Sequence, residues 1–181
     1  MGQEILEAFA QRGFEPVEEL IVLAHDLATL PTAPTYRVRS FRLRYRSEVL
    51  AVDERAFQQF WQLDSAGLDE AFGATPRARG RLVRDHHSVI AYSVVGLSGS
   101  EAFIQRLAVD PDHQGVGLGR ALTVDGLAWA KSHMAGVAFV NTQRSNSAAL
   151  ELYDKLGFQR RPRPLTVMGL WLDDRPDGAA A

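Results

Sequence analysis

The sequence predicts a mixed α/β domain in which a central, mostly antiparallel sheet is flanked by helices. Three observations carry this reading. In the middle of the chain, short apolar strand-like runs follow one another with only turns between them, which suits antiparallel hairpins. Further on, two such runs are separated by a long helical stretch, which suits a parallel strand–helix–strand crossover. At 181 residues with 46% apolar side chains, the chain can bury a core as one domain, and without cysteine it must do so without disulfides.

Each element has its own signal. In "EILEAFAQRGF", Ile5, Leu6, Phe9 and Ala10 share a helical face, and Gly13 serves as the C-cap. "VEELIVLAHDL" reads as a buried strand, and the Pro-containing "LPTAPTY" as a connector. "YRVRSFRLRYR" alternates polar and apolar residues and predicts a half-exposed strand whose arginines face solvent. A helix is expected from Asp53 as N-cap through "DERAFQQFWQL", with Ala56, Phe57, Phe60 and Trp61 as its apolar stripe, then a short helix at "LDEAFGA". Strands follow at "GRLVRD", "SVIAYSVVGL" and "EAFIQRLAVD". After them come a helix at "GRALTVDGLAWAKSHM", a strand at "GVAFVNTQ", a capped helix at "SNSAALELYDKLG" and a closing strand at "LTVMGLWL". Residues 1–30 read as a helix–strand extension, 36–172 as the main domain and 173–181 as a disordered tail. The start and the end echo one another: "EAFAQRGF" before "ELIVL" resembles "ELYDKLGF" before "LTVMGL".

Charge and composition exclude several functions. A net charge of −2 and a pI near 6.2 argue against a nucleic-acid surface. No run approaches the ~20 apolar residues of a membrane span. The acidic opening residues do not form a secretory signal. A chain without cysteine also fits a reducing compartment, so the expected location is cytoplasmic. His86 and His87 would point to opposite faces of a strand, and His25, His113 and His133 lack ligand spacing, so no metal is expected.

The chemistry concentrates in "LAVDPDHQGVGLGRALT", where Gly115, Gly117 and Gly119 alternate between a strand and a helix. Unpaired N–H groups at a helix start suit a phosphate, and glycine lets them approach closely. A ligand-free turn would use the same residues. A Walker loop is excluded because Arg120-Ala121, not Lys-Ser/Thr, follows the last glycine. A Rossmann turn is excluded by the Asp110–Gln114 spacer and by Val140-Asn141, with no acid, at the end of the next strand.

Gln114 through Gly119 match Gln/Arg-x-x-Gly-x-Gly/Ala, and Asn146, Ala149, Tyr153, Gly157 and Phe158 match Asn-x-x-Ala-x-x-x-Tyr-x-x-x-Gly-Phe. On these two motifs the chain resembles the GNAT N-acetyltransferase superfamily, from about Phe103 to Leu170. The resemblance implies the GNAT fold and an acetyl-CoA-dependent N-acetyltransferase that brings acetyl-CoA and a small-molecule or peptide amine together in a ternary complex. A GNAT-like module that binds acyl-CoA without catalysis is the alternative. The main chain of Leu107, Ala108 and Val109 would pair with the pantetheine arm. The N–H groups of Gln114, Gly115, Val116, Gly117, Leu118, Gly119 and Arg120 would hold the pyrophosphate. Asn146 would contact the arm while also capping its helix. Tyr153 would give a proton to the departing thiolate, although Ala149, Leu152, Tyr153 and Leu156 also make an ordinary core stripe. Glu101 is the carboxylate candidate for general base, with surface solvation as its other reading. Relatives that acetylate ribosomal protein N-termini carry Glu where this chain has Asn141, which weighs against that substrate. The acceptor pocket is expected near Phe57 to Phe72, with Trp61, Asp64 and Asp69 facing a cationic amine and Phe57 and Phe60 in the core. Residues 1–30 could add a strand to a second copy, making a homodimer. No metal, nucleic acid or membrane partner is expected.

Overall fold

Val89–Ser98 is apolar almost throughout because both faces of the strand are covered, nine of its ten residues being buried. The computed structural model describes residues 2–32 and 35–171. In chain order the strands are β1 (Glu15–His25), β2 (Arg39–Ser40), β3 (Arg77–Arg84), β4 (Val89–Ser98), β5 (Glu101–Val109), β6 (Val137–Gln143), β7 (Gln159–Arg160) and β8 (Leu165–Gly169). The helices are α1 (Gly2–Ala10), α2 (Arg46–Ala56), α3 (Ser65–Gly73), α4 (Leu118–Ser132) and α5 (Ser147–Lys155). Among the described residues one sheet runs β2-β3-β4-β5-β6-β1-β7, with β8 also paired to β1. Its ladders are antiparallel except β5–β6, which α4 bridges as a parallel crossover.

The two faces of the sheet have separate cores. Val124, Leu127 and Ala130 of α4 and Leu150, Tyr153 and Leu156 of α5 pack on Leu23, Val95, Ile104 and Val140. Val49 and Val52 of α2 and Leu68 of α3 pack on Leu82, Tyr92, Val94 and Ala108 from the other side. Each buried leucine or valine contributes roughly 1.5–3 kcal/mol.

Two expectations are corrected. The helix expected to begin at Asp53 begins at Arg46 and ends at Ala56, and only a 3-10 turn, Gln59–Trp61, follows. Asp53 is therefore no N-cap but a fully buried residue of the third turn. The strand expected over "YRVRSFRLRYR" shrinks to Arg39–Ser40, because Leu43–Tyr45 coils into a turn that leads into α2. In residues 1–30, a helix and a strand are present as expected, and β1 lies inside the chain's own sheet: Leu20–His25 pair with Gln143–Ala138, and Glu15–Leu20 with Gly169–Leu165. The echo between the two ends extends to their backbones, since α1 and α5 each precede a glycine with positive φ, Gly13 at 84° and Gly157 at 86°. The apolar stripe of α1 stays partly open, with Ile5 and Phe9 exposed. The tail 173–181 lies outside the described residues.

Candidate active site

The site begins where two strands part. Pairing of β5 with β6 runs only from Glu101↔Val137 to Ile104↔Val140. Beyond Ile104, β5 keeps its ladder with β4 as far as Val109, so its other edge faces a gap. A 230 Å³ cavity fills the opening, lined by Ile104–Leu107 from β5, Val140–Gln143 from β6, and Leu20, Phe57, Trp61, Asn146, Ala149 and Tyr153. It adjoins a 470 Å³ cavity lined by Leu107–Val109, the 113–120 loop and the outer face of α5. Phe57, Leu107, Asn146 and Ala149 line both.

The larger cavity contains the expected phosphate residues. Gly115 and Gly117 have φ of 77° and 95°, in the left-handed region that favours glycine, and Gly117 is the N-cap of α4. No side chain caps this helix, so the N–H groups of Leu118, Gly119 and Arg120, which have no acceptor within the helix, are available to a ligand. Gly119 sits close to α5: a Cβ there would lie 3.2 Å from Leu152 Cδ2. The loop is braced from below. Asp110, buried, accepts from Arg55 Nε at 2.9 Å and from the Asp112 N–H at 3.1 Å. Burial opposes ionisation of Asp110, but these donors outweigh it and hold its carboxyl below the usual range. Val116 does not line the cavity, and its carbonyl accepts from Tyr36 Oη at 2.6 Å. The Arg120 guanidinium donates to the Thr32 carbonyl at 2.9 and 3.1 Å, so its charge is engaged with the connector.

Asn146 and Tyr153 stand where the cavities meet. Asn146 Oδ1 accepts from the Ala149 N–H at 3.1 Å, so it does cap α5, and the same residue lines both cavities. Tyr153 is at once a core and a cavity residue: it is 4% exposed, packs on Phe158 and lines the smaller cavity. Burial pushes its phenol above the ordinary value of 10, so it stays protonated at neutral pH.

The smaller cavity rests on a network that the sequence reading missed. Asp53, from α2, accepts from Arg106 Nε at 2.7 Å and Nη2 at 2.6 Å, from the Leu63 N–H at 2.7 Å, and from Tyr92 Oη. Arg106 also donates to the Trp61 carbonyl at 2.7 Å and lies 3.5 Å over the Phe57 ring. This one ion pair thereby ties down Phe57, Trp61 and Leu63, the first two of which line the cavity. Burial and the Asp53 charge both raise the Tyr92 pKa, so Tyr92 remains a donor. A β-bulge at Gln105, where Val94 and Val95 face Arg106 and Ile104, sets the direction of Arg106.

Other expected residues lie elsewhere. Glu101 is exposed at the β4–β5 turn and lines neither cavity, because β5 reaches the cavity only from Ile104 onward, roughly 10 Å further along the strand. Asp64 caps α3 through the Gly67 N–H, and Asp69 pairs with Arg46, so neither faces the cavity. Trp61 does line it, and so does Phe57, whereas Phe60 is exposed instead of sitting in a core. No group of three metal-ligating side chains occurs among the described residues. No helix there is long and apolar enough to cross a membrane.

The site is thus a mixed α/β sheet that parts between its parallel strands, with a glycine loop opening a helix beside the gap. Residues 44–158 match the Acetyltransferase (GNAT) family, and the chain belongs to it. A mycothiol acetyltransferase from Catenulispora acidiphila is 31% identical over 170 residues, covering 84% of this chain and 54% of that protein. One from Tsukamurella paurometabola is 32% identical, covering 85% and 60%. The chain thus spans about half the length of the curated relatives it matches. Among solved structures, a GNAT-family acetyltransferase from Novosphingobium aromaticivorans superposes with a TM-score of 0.70 at 18% identity, covering 88% of this chain and 68% of that one.

Proposed function

We propose that this chain transfers the acetyl group of acetyl-CoA to a small-molecule primary amine, with both substrates bound together. The observation that carries the reading is the joining of two cavities through Leu107, Asn146 and Ala149, one beside exposed helix-start amides and the other beside a buried phenol. Acetyl-CoA would lie in the larger cavity, its pyrophosphate on the N–H groups between Gln114 and Arg120 and its pantetheine along Leu107–Val109. Asn146 would meet the arm where it turns toward the smaller cavity, which takes the amine. The amine nitrogen attacks the thioester carbonyl carbon and the C–S bond breaks. The thiolate takes a proton from Tyr153, the nitrogen releases one to solvent, and the phenolate regains one from solvent. Burial keeps this phenol protonated at neutral pH, so Tyr153 holds a proton for the departing thiolate and is not available as a base. Relatives named for mycothiol support a small-molecule acceptor over a protein one.

The reading is tested by thiol release from acetyl-CoA over a panel of amino acids, polyamines, aminoglycosides and short peptides. Release that depends on an acceptor is expected. Acetyl-CoA binding without acceptor-dependent release would overturn the enzyme in favour of a binding module.

A further inference from the structure

Glu18 lies on β1, outside the residues matched by the family. Its Oε2 accepts from Trp61 Nε1 at 3.2 Å and from Gln143 Nε2 at 3.1 Å. These donors come from two separate elements, the turn after α2 and the end of β6, and both line the smaller cavity. Leu20, two residues along β1 and so on the same strand face, lines it too. The N-terminal strand therefore places one carboxylate across two walls of the cavity. The neighbouring charges are already engaged: Asp53 with Arg106, Tyr92 and the Leu63 amide, and Glu19 with Arg144 at 3.4 Å. One carboxylate oxygen accepts from both donors, so this bridge links an indole and a long amide that would otherwise rotate independently.

We propose that Glu18 is the positioning residue of the acceptor cavity, clamping Trp61 and Gln143 in the arrangement that receives the amine. This rests on the smaller cavity being the acceptor site. A clamp acts on binding before chemistry, so its loss raises the acceptor KM and leaves kcat nearly unchanged.

The experiment uses the full chain with Glu18→Ala and Glu18→Gln. Trp61→Phe assigns the Trp61 indole N–H signal in a ¹H–¹⁵N spectrum, and that signal is expected to move upfield in both Glu18 variants. With the amine from the panel that is turned over fastest, the acceptor KM is expected to rise about tenfold in Glu18→Ala and less in Glu18→Gln, which keeps one acceptor oxygen. Acetyl-CoA affinity and Tm are expected to hold. An unmoved Trp61 signal overturns the clamp. An unchanged acceptor KM, or a rise in KM accompanied by equal losses of acetyl-CoA affinity and Tm, overturns the positioning role. If the wild type turns over no amine, the functional reading fails by itself, and the Trp61 signal still decides whether the clamp exists.

Discussion

The two cavities that meet at Asn146 are built in opposite ways. The larger one lies between α5 and one stretch of chain, residues 107–120, whose main chain does the work: a strand edge, two left-handed glycines and the first amides of α4. The smaller one is made of side chains from β1, the segment after α2 (Phe57 and Trp61), β5, β6 and α5 with its N-cap, held by ion pairs and hydrogen bonds between residues far apart in sequence. A surface made of backbone tolerates many side chains so long as φ and the Cβ positions are right. A surface made of paired side chains depends on every partner. The first kind suits a substrate common to a family, and the second suits the substrate that differs among its members.

That contrast can be broken from either side. Gly117→Glu acts on the backbone cavity twice, forcing a Cβ onto a residue at φ 95° and placing a carboxylate at a helix start meant for an anion. Acetyl-CoA binding by calorimetry is expected to be lost, a fall of at least about a hundredfold. Retained binding would mean that the phosphates lie elsewhere. Asp53→Ala tests the side-chain cavity. It leaves the Arg106 guanidinium, whose side chain is 11% exposed, without its counter-charge. The expected loss is about 3–5 kcal/mol of stability, with Tm falling by roughly 2–4 °C per kcal/mol in a domain of this size. Acceptor turnover should fall further than acetyl-CoA affinity, because the walls loosen and the loop does not.

The same contrast explains what could be read from the sequence. The glycine loop was legible because its chemistry lies in consecutive residues, and Gly115, Gly117 and Gly119 report backbone needs directly. Asn146 and Tyr153 were legible as a spaced motif on one helix. Asp53 was misread, because an acid ahead of an apolar stripe looks like an N-cap, and only the fold reveals Arg106 and Tyr92 beside it. Glu18 carried no signal at all, since its partners lie 43 and 125 residues away. Glu101 was chosen for its strand, and a count of residues from the strand's start could not say where β5 and β6 part. The echo between the chain's ends was visible in the sequence, but not that it marks two strands lying side by side in one sheet.

Tyr153→Phe tests the residue at the junction. The ring stays in its place beside Phe158 and only the hydroxyl is lost, so Tm and acetyl-CoA affinity should hold while kcat falls about a hundredfold. Because burial raises this phenol's pKa, the wild-type rate should show no alkaline loss from Tyr153 below the ordinary phenol value near 10. An unchanged kcat in the variant would make Tyr153 a core residue alone.

The smallest effect concerns how β1 is anchored beside this junction. His25, at the end of β1, is 4% exposed, packs edge-on against Phe158 and accepts from the Leu27 N–H through Nδ1 at 2.9 Å. Burial lowers its pKa and Lys131 lowers it further, against the opposing pull of Asp26 and the Leu156 backbone. The folded chain thus prefers neutral imidazole. The stabilisation is complete above the unfolded value of 6.5 and is lost as pH falls below it, because the unfolded chain takes up the proton first. Tm should therefore decline between pH 7 and pH 5. His25→Gln, which keeps an acceptor for Leu27 but cannot titrate, should flatten that decline by a few degrees. An equally steep decline in the variant would place the acid-sensitive group outside β1. A flattened one would tie the acid sensitivity to His25, the uncharged ring against Phe158 on the strand that bears Glu18 and Leu20.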